Sequence, residues 1–259
     1  MAQQLTVISR EQHADKRWKR YSSYSFAAGD AVAPLVVQEI SRACMNLPIG
    51  FVKADDAFQL VAVQGLRPGK NLWVAPDGRW MGGYVPAAYR GYPFVLANAE
   101  GGRRVLCIRE GTDLAPVAEG EPFFDEEGKP AKPVQDVLKF LGQLVANGEL
   151  TARLCAMLAG HDLIQPWSIE LQADGGNHRI QGLFRVDEAA LNALPAEAFE
   201  ALRQAGALPL AYCQLLSMQH LPRLSRLAGQ HEAADAMLKP EGGDLDLEFL
   251  SDNDNIRFS

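Results

Sequence analysis

Long apolar runs are missing from this chain. Its longest uncharged stretch, Gln204 to Pro222, is broken up by Pro209, Gln214, Ser217, Gln219 and His220. A helix that crosses a bilayer needs about 20 predominantly apolar residues, so no membrane insertion is expected and a permease is excluded. The opening MAQQLTVISREQH has no apolar core of the secretory type. A cytoplasmic location is therefore expected. Cysteine is scarce: Cys44, Cys107, Cys155 and Cys213 lie far apart, each in an apolar run, without CxxC spacing. Scattered thiols of this kind behave as small buried hydrophobes, neither a disulfide framework nor a zinc site. The five histidines show no HxH, HExxH or HxxxH spacing. No metal and no cofactor is expected from these patterns. A GxSxG elbow, a GxxxxGK[ST] loop and a GxGxxG turn are all absent, which removes the commonest hydrolase and nucleotide signatures.

Positive charge is also in short supply. The 259 residues carry a net charge of −7, and Glu232 to Ser259 holds eight acids against two bases. That tail accounts for −6, so the body is close to neutral. A nucleic-acid binder needs a basic footprint to displace counterions, and no nucleic-acid partner is expected here. The one basic run, Lys16, Arg17, Lys19 and Arg20 around Trp18, reads as a solvated segment. What the chain does have is an ordinary globular composition, 47% apolar and 22% charged, enough for a self-sufficient core.

The predicted fold class is α+β, with a strand-rich antiparallel N-terminal half packed on a helical C-terminal half that adds one further hairpin. Residues 1–30 look polar and irregular. A short helix is predicted from Pro34 through Ile40 and Ala43, stopped by Pro48. Ile49–Val52 and Phe58–Val63 read as a hairpin across Asp55-Asp56. Asn71–Val74 and Trp80 onward flank an Asp77-Gly78 turn, and Pro93–Ala97 and Arg104–Arg109 flank Gly101-Gly102. Residues 119–133 form a charged, Gly- and Pro-rich connector inside one domain that spans 1–240, followed by an acidic tail at 241–259.

Beyond the connector the period changes. Val134, Val137, Leu138, Leu141, Leu144 and Val145 fall on one helix face, closed by Asn147-Gly148. A second helix is predicted through Leu154 and Leu158 to Gly160. Ser168–Gln172 and Arg179–Val186 read as a hairpin across residues 174–177. Asp187 caps a short helix, Pro195 opens another that stops at Gly206, and Leu208–Leu227 is a longer buried helix that Pro222 bends or breaks. In the tail, Leu245, Leu247, Phe249, Ile256 and Phe258 are expected in short strands that dock on the body.

His161 and Asp162 are adjacent, but neighbours in sequence rarely aim at one target, and a histidine at a helix C-terminus interacts well with the last carbonyls. The segment Asn71 to Phe94 carries more information. Trp73, Trp80, Tyr84, Tyr89, Arg90 and Tyr92 fall within 24 residues. Aromatics with an arginine offer large contact area at low entropy cost, which makes these six the candidate ligand-binding residues for a peptide or protein partner. The competing reading is that they fill the core, with Arg90 paired to a carboxylate.

Several segments resemble the SapC family. They are Val32 to Leu35 (VAPL) with Glu39, Leu47 to Phe51 (LPIGF), Gln64 to Leu66 (QGL), Gly69 to Val74 (GKNLWV), Asp77 to Trp80 (DGRW), Tyr84 to Phe94 (YVPAAYRGYPF) and Leu106 to Ile108 (LCI). Later come Gln181 to Glu188 (QGLFRVDE) and Gly206 to Leu208 with Tyr212 and Ser217. The chain departs from the family pattern at Gln214, where a histidine is common. The resemblance covers most of residues 10–230, and Tyr84 to Phe94 is its most specific part. It implies a bacterial protein loosely tied to surface-layer secretion or peptide transport, with no catalytic residues to carry over.

Two functions are carried forward. One is a non-catalytic binding or accessory protein of a bacterial envelope or peptide secretion and uptake system. The other is a peptide-modifying enzyme whose site is assembled from distant residues. A third possibility, an assembly subunit joined through its acidic tail, would be read from mass in solution after deletion of residues 242–259.

Overall fold

The computed structural model describes residues 5–109, 119–173 and 176–238. The largest sheet grows from the predicted hairpin of β4 (Ile49–Ala54) and β5 (Ala57–Val63), turned by Asp55 at φ 53°. Its strand order is β3-β5-β4-β10-β9, antiparallel throughout, where β3 is Val32–Pro34, β9 is Ile164–Ala173 and β10 is Gly176–Val186. The C-terminal hairpin thus extends the N-terminal sheet rather than forming a layer of its own. A smaller antiparallel sheet, β1-β7-β6, joins Leu5–Val7, Arg104–Arg109 and Phe94–Asn98. Its predicted turn holds, with Gly101 and Gly102 both at positive φ.

Pro34 ends a strand instead of opening a helix. It pairs with Val61 as the outermost strand of the sheet, where a missing N–H costs no ladder bond. The helical turn begins later, as a 3-10 turn over Val37–Glu39 that runs into α2 (Ile40–Ala43). Asn71–Val74 and Trp80 make only one bridge, Val74 with Trp80. Their backbone bonds go elsewhere, because Asn71 Oδ1 takes the Trp73 N–H at 2.9 Å and Gln64 O takes the Leu72 N–H at 2.8 Å. The Asp77-Gly78 turn itself is present, with Gly78 at φ +82°.

The two helices expected on either side of Asn147-Gly148 are one helix of 29 residues, α4 (Lys132–Gly160). Gly148 stays out of the left-handed region that would terminate a helix. A glycine inside a helix costs about 1 kcal/mol relative to alanine, and burial along this helix outweighs that. Val134 and Leu141 pack with Trp18, Phe94, Ile108 and Phe123 under the small sheet. More than three turns further on, Leu154, Cys155 and Leu158 enter the main core with Phe51, Leu60 and Trp73. A helix of about 1.5 Å rise per residue can reach both, and α4 belongs to both clusters.

The remaining helices follow the sequence closely. Asp187 accepts hydrogen bonds from Ala189 N and Ala190 N to cap α5 (Glu188–Asn192), and Gly206 at φ +80° ends α6 (Ala196–Ala205). The long helix expected over Leu208–Leu227 is divided into α7 (Ala207–Ser217) and α8 (Leu221–Leu238) by a 3-10 turn just before Pro222. The fold is α+β. No helix among the described residues is long and apolar enough to cross a membrane. The tail strands and the Asp174-Gly175 turn lie outside the described residues.

Candidate functional site

Gln38, Glu39, Arg42, Tyr84 and Arg90 gather where α2 and the short helix α3 (Ala87–Arg90) face the middle of α4. Glu39 is buried at 6% exposure. Its Oε1 accepts from Val36 N at 3.0 Å, the return half of a capping box, for which Val36 has no side-chain acceptor to give the other half. Its Oε2 accepts from Tyr84 OH at 2.8 Å and from Ala87 N at 2.7 Å. A buried carboxylate is tolerated when it is well hydrogen-bonded, and here both oxygens are engaged, by three donors in all. Burial, then the Glu39 carboxylate, push the Tyr84 phenol up to about 12.

Arg90 lies over the Tyr84 ring at 5.0 Å and donates to Val85 O through Nε at 3.3 Å and Nη2 at 2.9 Å. It is held in place by a carbonyl and a ring, not by the carboxylate that the core-filling reading assumes. Among the described residues no ion pair involves Arg42 or Arg90. These side chains, with Gln143 and Asn147 of α4, line a polar recess of about 400 Å³. Val36 and Leu144 form its inner wall and also border a second cavity of about 510 Å³. The second cavity is apolar and open to solvent on one side. Leu35, Phe58, Leu60, Val145, Ala152 and Cys155 are among its lining. The two cavities, one apolar and one polar, lie side by side along α4 and together make up the trough.

The six candidate residues separate into two groups. Tyr84 and Arg90 face the polar recess. Trp80 supports them by donating Nε1–H to Tyr84 O at 2.8 Å. Tyr89 is buried, and Trp73 is fully buried in the main core with Arg223 against its ring. Tyr92 stacks on Phe26 at 3.8 Å with Tyr21 at its edge, and Trp80 and Tyr24 continue this half-buried aromatic layer.

A second buried polar cluster lies beneath the layer. Tyr89 OH donates to Gln64 Oε1 at 2.7 Å, and Asn71 Nδ2 donates to Gln64 Oε1 at 3.2 Å and Ala27 O at 3.0 Å. Gln64 Nε2 and Trp73 Nε1 find no partner among the described residues. Burial raises Asp30 above the ordinary carboxyl range, against the pull of Tyr89 and Arg109. Gly65 makes the approach possible, since a Cβ there would sit 2.0 Å from Lys70 O.

Glu39 and Arg42 are not among the site residues expected from sequence. Their spacing within one helical turn places both toward α3 and α4, and only the tertiary fold makes that turn a wall. Gln214 turns out to be structural. Strands β4 and β10 pair at just Val52 and Phe51, and beyond them the fully buried Gln214 accepts from Val186 N at 2.9 Å and donates to Ile49 O at 3.0 Å. The thiols are quiet. Burial pushes Cys155 up to about 12, and burial with the neighbouring Cys44 pushes Cys213 up to about 11. Neither offers a thiolate at neutral pH. No group of three or more His, Cys, Asp or Glu is placed to hold a metal among the described residues.

No curated protein and no solved structure matches the chain. A SapC family model matches residues 8–224, a span that contains the whole of the trough and both polar clusters. The chain belongs to the SapC family.

Proposed function

We propose that this protein is a non-catalytic binding or accessory protein that holds a peptide or protein partner in the trough along α4. The observation that carries the reading is the juxtaposition of an apolar groove and a polar recess that share Val36 and Leu144 in their walls. Peptide sites combine apolar pockets for side chains with a few fixed polar groups for orientation. Trp80 braces the recess through its bond to Tyr84 O, and Tyr84 and Arg90 line it. The system served is a bacterial envelope or a peptide secretion or uptake pathway, and the place of action is the cytoplasm.

The test is selection of linear peptides from a displayed random library on the wild-type chain. Selected peptides should lose at least tenfold in affinity on Leu144→Arg and on Ala152→Arg, with circular dichroism and melting temperature retained. Trp80→Ala and Arg90→Ala should weaken them less. Peptides that bind all four folded variants as tightly as wild type would remove the trough from the account.

A further inference from the structure

We infer that the polar recess is a carboxylate clamp for the C-terminus of an apolar peptide, with Arg42 and Arg90 as its two cations. This inference rests on the proposed peptide-binding reading and goes further by naming the end of the peptide and its chemistry.

Charge at the recess decides the sign of the ligand. Arg42 and Arg90 both line it and both are exposed, and no carboxylate among the described residues pairs with either. Glu39 also lines it, but its oxygens are taken by Val36 N–H, Tyr84 O–H and Ala87 N–H. Two cations facing one fully engaged carboxylate leave the recess positive. A guanidinium has five N–H donors in a planar fork that suits a carboxylate. Arg90 spends Nε–H and one Nη2–H on Val85 O, so the rest of its fork is open. The guanidinium carbon lies 5.0 Å from the Tyr84 ring centroid, and this contact together with the Val85 O bonds lowers the entropy lost when a ligand binds.

The position of the apolar groove decides what the carboxylate is attached to. Val36 and Leu144 line both cavities, so apolar surface lies beside the arginines. The carboxylate must therefore sit next to apolar atoms, as it does at the end of a peptide whose last side chains are aliphatic or aromatic. Gln143 and Asn147, one turn apart on α4, lie in the recess and can exchange hydrogen bonds with the last peptide groups. A fatty acid offers the same carboxylate and apolar body but has no amides for these two side chains.

An N-acetylated pentapeptide pool randomised over Ala, Val, Leu, Ile and Phe, made once as free acids and once as C-terminal amides, provides the probe. Retention by the full chain is read by affinity-selection mass spectrometry, with decanoate run in parallel. Free acids should be retained at least tenfold more than amides at 50 mM NaCl. At 500 mM NaCl the preference should shrink severalfold while amide retention holds. The Arg42→Gln, Arg90→Gln double variant should remove the acid preference, so that free acids and amides are retained equally on that variant. Equal retention of acids and amides by wild type, or an acid preference that survives the double variant, overturns the clamp while leaving peptide binding intact. Retention of decanoate without either pool overturns the peptide as occupant. If neither pool nor decanoate is retained, the binding reading falls together with the clamp.

Discussion

The two buried polar clusters of the N-terminal half make an instructive pair. Both are organised by a tyrosine from the same short segment, Tyr84 in one and Tyr89 in the other. At Glu39 every acceptor position in use is met by a donor from a different piece of chain: the Val36 turn, the Tyr84 ring and the α3 backbone. At Gln64 the acceptor is shared by Tyr89 and Asn71 while its own Nε2–H stays without a partner among the described residues. The difference follows from charge. A carboxylate taken out of water must have its lone pairs filled, whereas a neutral amide can leave one donor idle at a smaller cost. The Glu39 cluster is thus a structural knot tying three segments into one wall of the trough, and the Gln64 cluster is a looser brace beneath the aromatic layer.

The sharpest way to break this contrast is Glu39→Leu. It strands Val36 N–H, Ala87 N–H and Tyr84 O–H together, and each buried orphan donor costs about 1–3 kcal/mol. Because the recess admits some solvent to them, a loss of about 3–5 kcal/mol is expected from urea unfolding. A loss below about 1 kcal/mol would show that the carboxylate is not what holds the three segments together.

Much of the scaffold was legible in the chain, because its signals are local. The Asp55-Asp56 and Gly101-Gly102 turns, the Asp187 cap, the Gly206 stop and the break at Pro222 are each decided by one or two residues whose backbone preferences are strong. The misreadings came where distant packing overrode a local signal. Asn147-Gly148 carries a stop signal, yet α4 continues because Leu154, Cys155 and Leu158 have a core waiting for them. Pro34 looks like a helix start, yet Val61 supplies a strand for it to join. The candidate site was half legible for the same reason. The aromatic segment stands out by composition, so Tyr84 and Arg90 were found. Glu39 and Arg42 were not, since a lone Glu and a lone Arg on a short turn gain their meaning only when α3 and α4 close over them. Gln214 shows the limit most clearly, as its amide completes a gap between β4 and β10 that no sequence spacing reveals.

A milder way to sharpen the contrast is Gln64→Leu. This removes the acceptor of Tyr89 O–H, but Asn71 Nδ2 keeps Ala27 O, and the idle Nε2–H disappears with the amide. A cost of about 1–2 kcal/mol is expected, clearly below that of Glu39→Leu. If the two variants prove equally damaging in the same denaturant titration, the distinction between a knot and a brace is wrong.

The smallest effect is also the most specific, because it appears only at high pH. Tyr84→Phe takes one of three donors from Glu39 and should cost about 1 kcal/mol at neutral pH. The phenol of Tyr84 stands at about 12 in the folded chain against an ordinary 10.0, raised first by burial and then by its bond to Glu39. The folded state therefore keeps this proton at a pH where the unfolded chain has lost it. The stability linked to that preference is whole below about pH 10 and is lost as pH climbs from about 10 through about 12. The stability gap between wild type and Tyr84→Phe should accordingly narrow across that window, and Tyr89, present in both proteins, cancels from the difference. The Arg90 cation works the other way by favouring the phenolate, so Arg90→Gln should move the Tyr84 ultraviolet titration still higher. A gap that stays constant up to pH 12, or a Tyr84 transition near 10, would mean that this hydroxyl is not locked onto Glu39, and the recess would lose the wall against which Arg90 is set.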